Sequence, residues 1–472
     1  MSDRAVAAVL AGLVLLARLP FAAKTLWAWD SVLYSRALEQ GFHVSADLVA
    51  MRPHPPGYVF YVGAAALIRW VTGDSNAALV TVSVVASALT AAAVYLACRR
   101  YADRTLAVMV ALGAALAPLP WTYGEIAMPY ALLGLLSVVL AMSLRDARTR
   151  QWPAALVASV GLGLAAGFRQ DVLLLLGPLW MWILGGRTWR ERALCVAAVG
   201  IASLAWLAPS AALSGGLAEY LASLSGQVTR VSELSPAAGS DALVHNGLLT
   251  IYGLWWGLLG FALVLVAASV TRLIGRRLLP TEDAVFFALW LIPAAIGYVT
   301  IHIGDPGYLM SVLPGAYVAC AALLATLTAA TTTRVVLIFT AVLVGINVVT
   351  FVLTDAPFSA HATLRHDSSL VSRVAFVRAH FAPASVVILA QSEYLTARYY
   401  LPEYRVLFYG AEPEALSRAV REVRLGAPTE VVVFGELALP LPATLRLTRD
   451  GGVASGSVDA ATSLVAYDLE PR

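Results

Sequence analysis

Eleven apolar segments, each near the length of a membrane-crossing helix, recur along the 472-residue chain and decide what it can become. They run over 5–23, 77–98, 105–122, 126–144, 152–167, 171–185, 193–213, 247–270, 283–302, 307–330 and 335–354. A helix that spans a bilayer needs about 20 largely apolar residues, and the shorter segments fit as tilted or partly covered spans. Hydrophobic residues make up 60% of the chain and charged residues 13%, too few polar groups to cover a water-soluble surface. Lipid is therefore the solvent for most of the molecule. That excludes a cytosolic enzyme, a nucleic-acid binder and a disordered protein. A net charge of +3 is too small to imply a polyanionic partner. Cys98, Cys195 and Cys320 are scattered through apolar segments, with neither a disulfide framework nor metal-ligand spacing.

Arginines fall in alternate connections: Arg99, Arg100 and Arg104; Arg145, Arg148 and Arg150; Arg187, Arg190 and Arg192; Arg272, Arg276 and Arg277; and Arg334. The positive-inside rule makes these loops cytoplasmic. The opposite connections then face outward: 24–55, Trp121 to Glu125, Phe168 to Asp171, 214–246, His302 to Pro306, and everything after 355. The amino terminus lies in the cytoplasm, and the first segment reads as an uncleaved anchor rather than a signal peptide. Segment 56–71 would add a crossing that breaks this alternation, so it is expected to lie along the outer interface, with Arg69 and Trp70 at its end.

Beyond 355 the pattern changes. Short apolar runs, Val386 to Leu389 and Val431 to Phe434, alternate with amphipathic stretches such as Glu414 to Arg424. This predicts a small α/β domain over 356–472, outside the membrane. The outer loop 214–246 carries an amphipathic stretch from Leu217 to Val231, and then a Ser/Pro/Gly-rich linker.

Polar groups concentrate in the outward connections. Trp27-Ala28-Trp29-Asp30 opens a short helix, with Asp30 near its amino end and Tyr34 one turn later on the same face. As a cap, Asp30 would need no further role. In Arg52-Pro53-His54-Pro55-Pro56-Gly57-Tyr58 the prolines hold His54 extended at the membrane surface and start the next helix. Arg169, in Gly167-Phe168-Arg169-Gln170-Asp171, is costly between two spans unless it is paired or used, and Asp171 is its nearest partner in sequence. Glu125 closes Trp121-Thr122-Tyr123-Gly124-Glu125, and Asp305 and Tyr308 share the turn Gly304-Asp305-Pro306-Gly307-Tyr308.

In order, a first span, an acidic residue in a D-x-x-x-Y setting, H-P-P opening an interfacial helix, a second acidic motif at Glu125 and the late Gly304 to Leu309 and Leu313-Pro314 segments resemble the GT-C glycosyltransferases. The resemblance is to the branch with protein O-mannosyltransferases and lipid A aminoarabinose transferases. It covers residues 1–355. Asp30 is followed by Ser31 where the branch has Asp-Glu, Glu125 stands for its Asp, and Gly307 replaces its late arginine.

The resemblance implies a polytopic α-helical membrane protein of the GT-C fold, with about eleven spans and juxtamembrane helices in 24–75, and a small extracytoplasmic α/β domain. It implies an enzyme moving a sugar from a polyprenyl-phosphate donor to a hydroxyl on a lipid, glycan or protein acceptor, and the terse loops and absence of a disulfide framework point to a bacterial inner membrane. The chemistry needs a base, for which Asp30 is the choice, and cations for the leaving phosphate, for which Arg52, His54 and Arg169 are the candidates. Glu125 is placed to orient the acceptor, contact a metal or pair with an arginine. Tyr34, Asp305 and Tyr308 would line the same cavity. A divalent metal joining Asp30 and Glu125 is one arrangement that the carboxylates leave open. Two other readings stand beside this one: a transporter or lipid flippase, and a non-catalytic subunit on the same scaffold.

Overall fold

The structure, a computed structural model, describes residues 1–47, 50–233, 235–236, 239–273, 278–327, 333–408, 422–424, 430–435, 446–448, 453–459 and 464–470. Each of the eleven apolar segments carries helix. α1 (Asp3–Arg18) ends in a 3₁₀ turn at Leu19–Phe21, and α2 (Trp29–Gln40) follows in the first long connection. α3 (Val59–Thr72) packs on α4 (Ser75–Cys98), and α5 (Arg104–Leu116) is followed by the short α6 (Pro118–Tyr123). Then come α7 (Tyr130–Thr149), α8 (Trp152–Ala165), α9 (Asp171–Leu184), α10 (Trp189–Leu213) and α11 (Leu217–Glu233). The membrane part closes with α12 (Ser240–Leu258), α13 (Ala262–Leu273), α14 (Thr281–Thr300), α15 (Leu313–Leu327) and α16 (Thr333–Leu353). Seven stretches are long and apolar enough to cross a membrane among the described residues, and α5, α8, α9 and α15 are shorter apolar helices.

Proline and backbone geometry explain where the boundaries depart from the apolar pattern. The segment 105–122 is broken at Ala117, because Pro118 and Pro120 restart the chain as α6. The next begins only at Tyr130, after Pro129. Segment 56–71 becomes helical only at Val59, since Gly57 and Tyr58 adopt φ of 105° and 52°. A Cβ on Gly57 would stand 2.5 Å from Val44, so only glycine admits this corner. Segment 307–330 opens as a 3₁₀ stretch, Pro306–Ser311, and 247–270 is two helices divided at Leu259–Phe261.

α4, about 36 Å long at 1.5 Å per residue, is the central post, packed by α1, α3, α5 and α7. Its many Ala and Ser residues let neighbours approach closely, the usual basis of helix association in lipid. The same device joins α8 to α10: a Cβ on Gly163 would meet the Val199 carbonyl at 2.6 Å. Trp70, 91% exposed, with Leu67 and Val71 leaves the end of α3 an apolar outer rim.

The first three arginine-rich connections meet, Arg187 donating to the Ala147 and Arg150 carbonyls. Asp3 pairs with Arg99 and Arg104, Arg100 with Asp146, Arg145 with Asp283, and Arg148 with Glu282. Asp30, His54, Arg169, Asp305 and Tyr308 belong to the other set of connections.

α17 (Ala360–His380) leads into the carboxyl-terminal unit: β1 (Val386–Ala390), α18 (Tyr394–Tyr400), β2 (Arg405–Phe408), β3 (Glu422–Arg424), β4 (Glu430–Phe434), β5 (Arg446–Thr448), β6 (Val453–Asp459) and β7 (Leu464–Glu470). One sheet has the order β2-β1-β4-β7-β6, parallel across its first three strands and antiparallel across the rest; β3 and β5 pair separately. The α/β texture and the two apolar strands are as expected. Of the amphipathic stretch Glu414 to Arg424, residues 414–421 lie outside the described residues, and Glu422–Arg424 is a strand rather than helix because it pairs with Arg446–Thr448.

Candidate active site

Asp30 sits in the first turn of α2, one residue past its start, where the helix amino end favours a carboxylate. Capping falls to other groups: Ser31 Oγ accepts from the Ala28 amide and donates to the Ala127 carbonyl at 2.9 Å. That leaves the Asp30 carboxylate, 30% exposed, for His54, whose Nε2 stands 3.6 Å from its Oδ1. The opposite imidazole nitrogen, Nδ1, is 2.9 Å from the Pro55 carbonyl, which fixes the ring. Burial pushes the Asp30 carboxyl upward, but His54 and then Arg169 and Arg230 outweigh it and hold it below the ordinary 3.8. Burial lowers the imidazole, yet Asp30 carries it above 6.5.

Arg169 projects between α8 and α9. Its Nε donates to Asp171 Oδ2 at 2.9 Å, and its guanidinium lies over Tyr308 (4.3 Å), Tyr130 (4.8 Å) and Tyr58 (5.9 Å). Three aromatic faces and one carboxylate make this buried cation tolerable. The Tyr130 face is admitted by Gly307: a Cβ there would meet the ring at 2.3 Å. Arg169 is thus both paired with Asp171 and presented to open space.

That space is a cavity of about 530 Å³. His54, Tyr58, Arg169, Asp171, His302 and Tyr308 bring polar groups to its lining, α11 and the chain just after it add Gln227, Ser232 and Ser235, and Leu174, Leu175, Leu224, Val228, Val231 and Ile301 give it apolar walls. α11 supplies one wall, tied down by Tyr220 Oη donating to the Pro56 carbonyl at 3.2 Å. Asp30 stands behind His54, at the cavity's edge rather than in its lining. Tyr34 packs edge-on against Tyr58 and Tyr61, with its hydroxyl buried and without a hydrogen-bond partner among the described residues. Asp305 accepts from Tyr123 Oη and from the Gly307 amide at 2.7 Å, which holds the turn that presents Tyr308. Burial pushes the Asp305 carboxyl up despite those donors.

Of the residues expected to line the cavity, Tyr34 and Asp305 stand outside its lining, and Arg52 and Glu125 lie elsewhere. Arg52 donates to the Gly41 carbonyl at 2.7 Å and braces its own loop, outside the cavity lining. Glu125 is fully enclosed: Arg18 stands 3.9 Å from its Oε1, and Trp121 Nε1 donates to it at 2.5 Å. Of the roles its sequence left open, pairing with an arginine is the one this geometry contains. Its carboxylate shares no partner with Asp30, and no three His, Cys, Asp or Glu side chains converge among the described residues.

Sequence reasoning missed Tyr130 and Tyr58 as faces of the Arg169 cage, and Arg230, whose charge reaches Asp30 and His54 from α11. The amphipathic stretch Leu217 to Val231 was the available signal for Arg230. The carboxyl-terminal unit was missed as a clamp on the Asp30 loop. Asp367 accepts from the amides of Lys24 and Thr25 (2.8 and 3.0 Å) and from Thr25 Oγ1 (2.5 Å). Tyr400 Oη accepts from the Leu26 amide at 2.9 Å, and Trp29 Nε1 donates to the Ser392 carbonyl.

A bundle with this succession of helices, a loop helix carrying the acidic residue, and a carboxyl-terminal α/β unit has the GT-C fold. In particular, the chain is similar to ArnT from Cupriavidus metallidurans bound to undecaprenyl phosphate, with a TM-score of 0.60 and 14% identity over 98% of this chain and 97% of that one. Against the apo state of that ArnT the TM-score is 0.58, at 14% identity over 91% and 92%. An Archaeoglobus fulgidus oligosaccharyltransferase in complex with zinc and sulfate gives 0.48, at 13% identity over 86% of this chain and 62% of that one. No family model and no curated protein matches the sequence.

Proposed function

We propose that this protein transfers a sugar from a polyprenyl-phosphate donor to a hydroxyl acceptor at the outer face of the membrane. The observation that carries the reading is Arg169, caged by tyrosines and lining, with His54, a largely apolar cavity of about 530 Å³ that can take an isoprenoid tail. A ligand with one anionic head and a long hydrocarbon chain matches that lining, and the likeness to an ArnT bound to undecaprenyl phosphate agrees with it.

The reaction follows from the same groups. The acceptor oxygen bonds to the anomeric carbon as the carbon–oxygen bond to phosphate breaks, and the leaving phosphate takes the electron pair. Arg169 and His54 stabilise that charge in a low-dielectric site. Asp30 takes the acceptor proton. A carboxylate held below 3.8 is a weak base in the empty protein. A phosphate anion beside His54 and Arg169 draws their charge away from Asp30 and raises its proton affinity as the donor binds. Asp305 and Tyr34 shape the chamber, and Glu125 contacts no substrate in this mechanism.

Two measurements test it. Asp30→Asn should abolish sugar transfer while undecaprenyl phosphate still binds the full-length protein. Transfer at the wild-type rate by Asp30→Asn would remove the proposed base; unchanged lipid affinity in Arg169→Gln would remove the proposed phosphate site.

A further inference from the structure

Three residues that line the cavity of about 530 Å³ carry a polar side-chain atom that is shielded from solvent and has no hydrogen-bond partner among the described residues: Gln170 at Nε2, Asp171 at Oδ1 and Gln227 at Oε1. Other polar side chains there are spent on the fold. Ser232 Oγ donates to the Thr229 carbonyl at 2.6 Å, and Ser235 Oγ to the Ser232 carbonyl at 2.8 Å. Asp171 gives only Oδ2 to Arg169 Nε, at 2.9 Å, which leaves its second oxygen over. Gln170 stands at the cap position of α9, yet its side chain does not cap the helix. On α11, Leu224, Gln227, Val228 and Val231 are spaced i, i+3, i+4 and i+7, so one helix face lines the cavity and Gln227 is an amide set into an apolar stripe.

An isoprenoid tail cannot serve these atoms. Hydrocarbon packed against a buried carboxylate or amide removes its hydration and returns no hydrogen bond. A hydroxyl both donates and accepts, so it satisfies a carboxylate oxygen and either end of an amide. We propose that Gln170, Asp171 and Gln227 form the subsite for the donor's sugar, holding its ring hydroxyls and setting which sugar is accepted. The placement of Asp171 agrees with this: one oxygen lies on the guanidinium assigned to the phosphate, and the other is left for the group that the phosphate carries. The subsite rests on the donor reading of Arg169. A site built to hydrogen-bond hydroxyls rejects an analogue that lacks one, because its own buried polar atoms are then left unpaired.

Native mass spectrometry of the full-length protein in detergent, without acceptor, tests the assignment by comparing undecaprenyl phosphate with its glucose, galactose and mannose conjugates. At least one conjugate should bind the wild type about tenfold more tightly than the bare lipid, as two or three added hydrogen bonds require. Gln170→Leu and Gln227→Leu should each cut that ratio by about two- to tenfold, the loss of one neutral hydrogen bond. Binding of the bare lipid reports that each variant is folded, and the two sites lie on different helices, so one variant stands if the other fails. A ratio near one for every conjugate in the wild type, or a ratio unchanged in both variants, overturns the subsite. Bare-lipid affinity unaltered by Arg169→Gln would instead remove the phosphate site on which the subsite rests, an outcome that these ratios keep separate.

Discussion

His54 Nε2 stands 3.6 Å from Asp30 Oδ1, and each group shifts the other's protonation in the direction that preserves the pair. Asp30 falls below 3.8, so its share is present above that value and is lost as pH drops through the lowered pKa. His54 rises above 6.5, so its share is complete below 6.5 and fades as pH climbs through the raised pKa. Sugar transfer should therefore hold a plateau across mildly acidic pH and fall on an alkaline limb above 6.5. His54→Asn should remove that limb and move the acid limb upward, since Asp30 loses its main lowering partner. Rate-against-pH profiles of both proteins check this; an alkaline limb that survives in His54→Asn assigns it to another group.

The tyrosine cage around Arg169 distinguishes charge from shape. Arg169→Lys keeps a cation but lacks the planar fork that both bonds Asp171 and stacks on Tyr308 and Tyr130. A charge-assisted contact to phosphate is worth about 1.5–3 kcal/mol. Arg169→Gln should accordingly weaken undecaprenyl phosphate binding by about ten- to a hundredfold, with Arg169→Lys between it and wild type. Equilibrium lipid-binding measurements decide; a lysine variant equal to wild type would mean that charge alone suffices.

Much of this architecture is legible in the chain because lipid makes long apolar runs and arginine-rich turns unambiguous. The breaks at Pro118 and Pro129 follow from proline chemistry, yet the apolar runs mask them. The pairings are different. Nothing local joins Arg18 to Glu125, Tyr130 to Arg169 or Asp367 to Thr25; each depends on helices that meet only after packing. Arg169 and Asp171 are neighbours in sequence, and that pair is the one the sequence exposes. Glu125 and Arg52 have residue types suited to the site but are used by the fold, because the nearest partner after folding determines what a charged group does.

Gly307 keeps the late turn close to Tyr130. An added Cβ would overlap the ring at 2.3–2.7 Å, so either Tyr130 or the Asp305–Tyr308 turn must move. Gly307→Ala should cost about 1–3 kcal/mol in stability through overpacking and weaken lipid binding by loosening the cage. The thermal midpoint and lipid affinity should both fall; an unchanged midpoint would show that the turn yields freely.

Arg18 and Glu125 form an enclosed pair, with Arg18 also donating to Ser87 Oγ at 3.1 Å and the Ala115 carbonyl at 2.5 Å. Removing one partner leaves a buried charge uncompensated, at about 3–5 kcal/mol. Glu125→Leu alone should lower the thermal midpoint sharply, and Arg18→Met/Glu125→Leu should recover most of it. If the role is architectural, the double variant keeps its affinity for undecaprenyl phosphate; a stable double variant that binds lipid but transfers no sugar would return Glu125 to the chemistry.

Asp367 lies outside the membrane bundle, yet it accepts three hydrogen bonds from Lys24 and Thr25, in the loop that leads to Asp30. Asp367→Ala strips those buried or half-buried donors of their acceptor, at about 1–3 kcal/mol each, and frees the loop. Asp30 then loses its orientation while the tail cavity, built from α9, α11 and α14, is untouched. kcat should fall about tenfold or more with the donor KM nearly unchanged, because positioning acts on the reacting geometry rather than on the bound tail. Asp367→Asn retains one acceptor oxygen and should recover part of the rate. Parallel losses in kcat and lipid affinity, without recovery in the asparagine variant, would point instead to general destabilisation of the carboxyl-terminal unit.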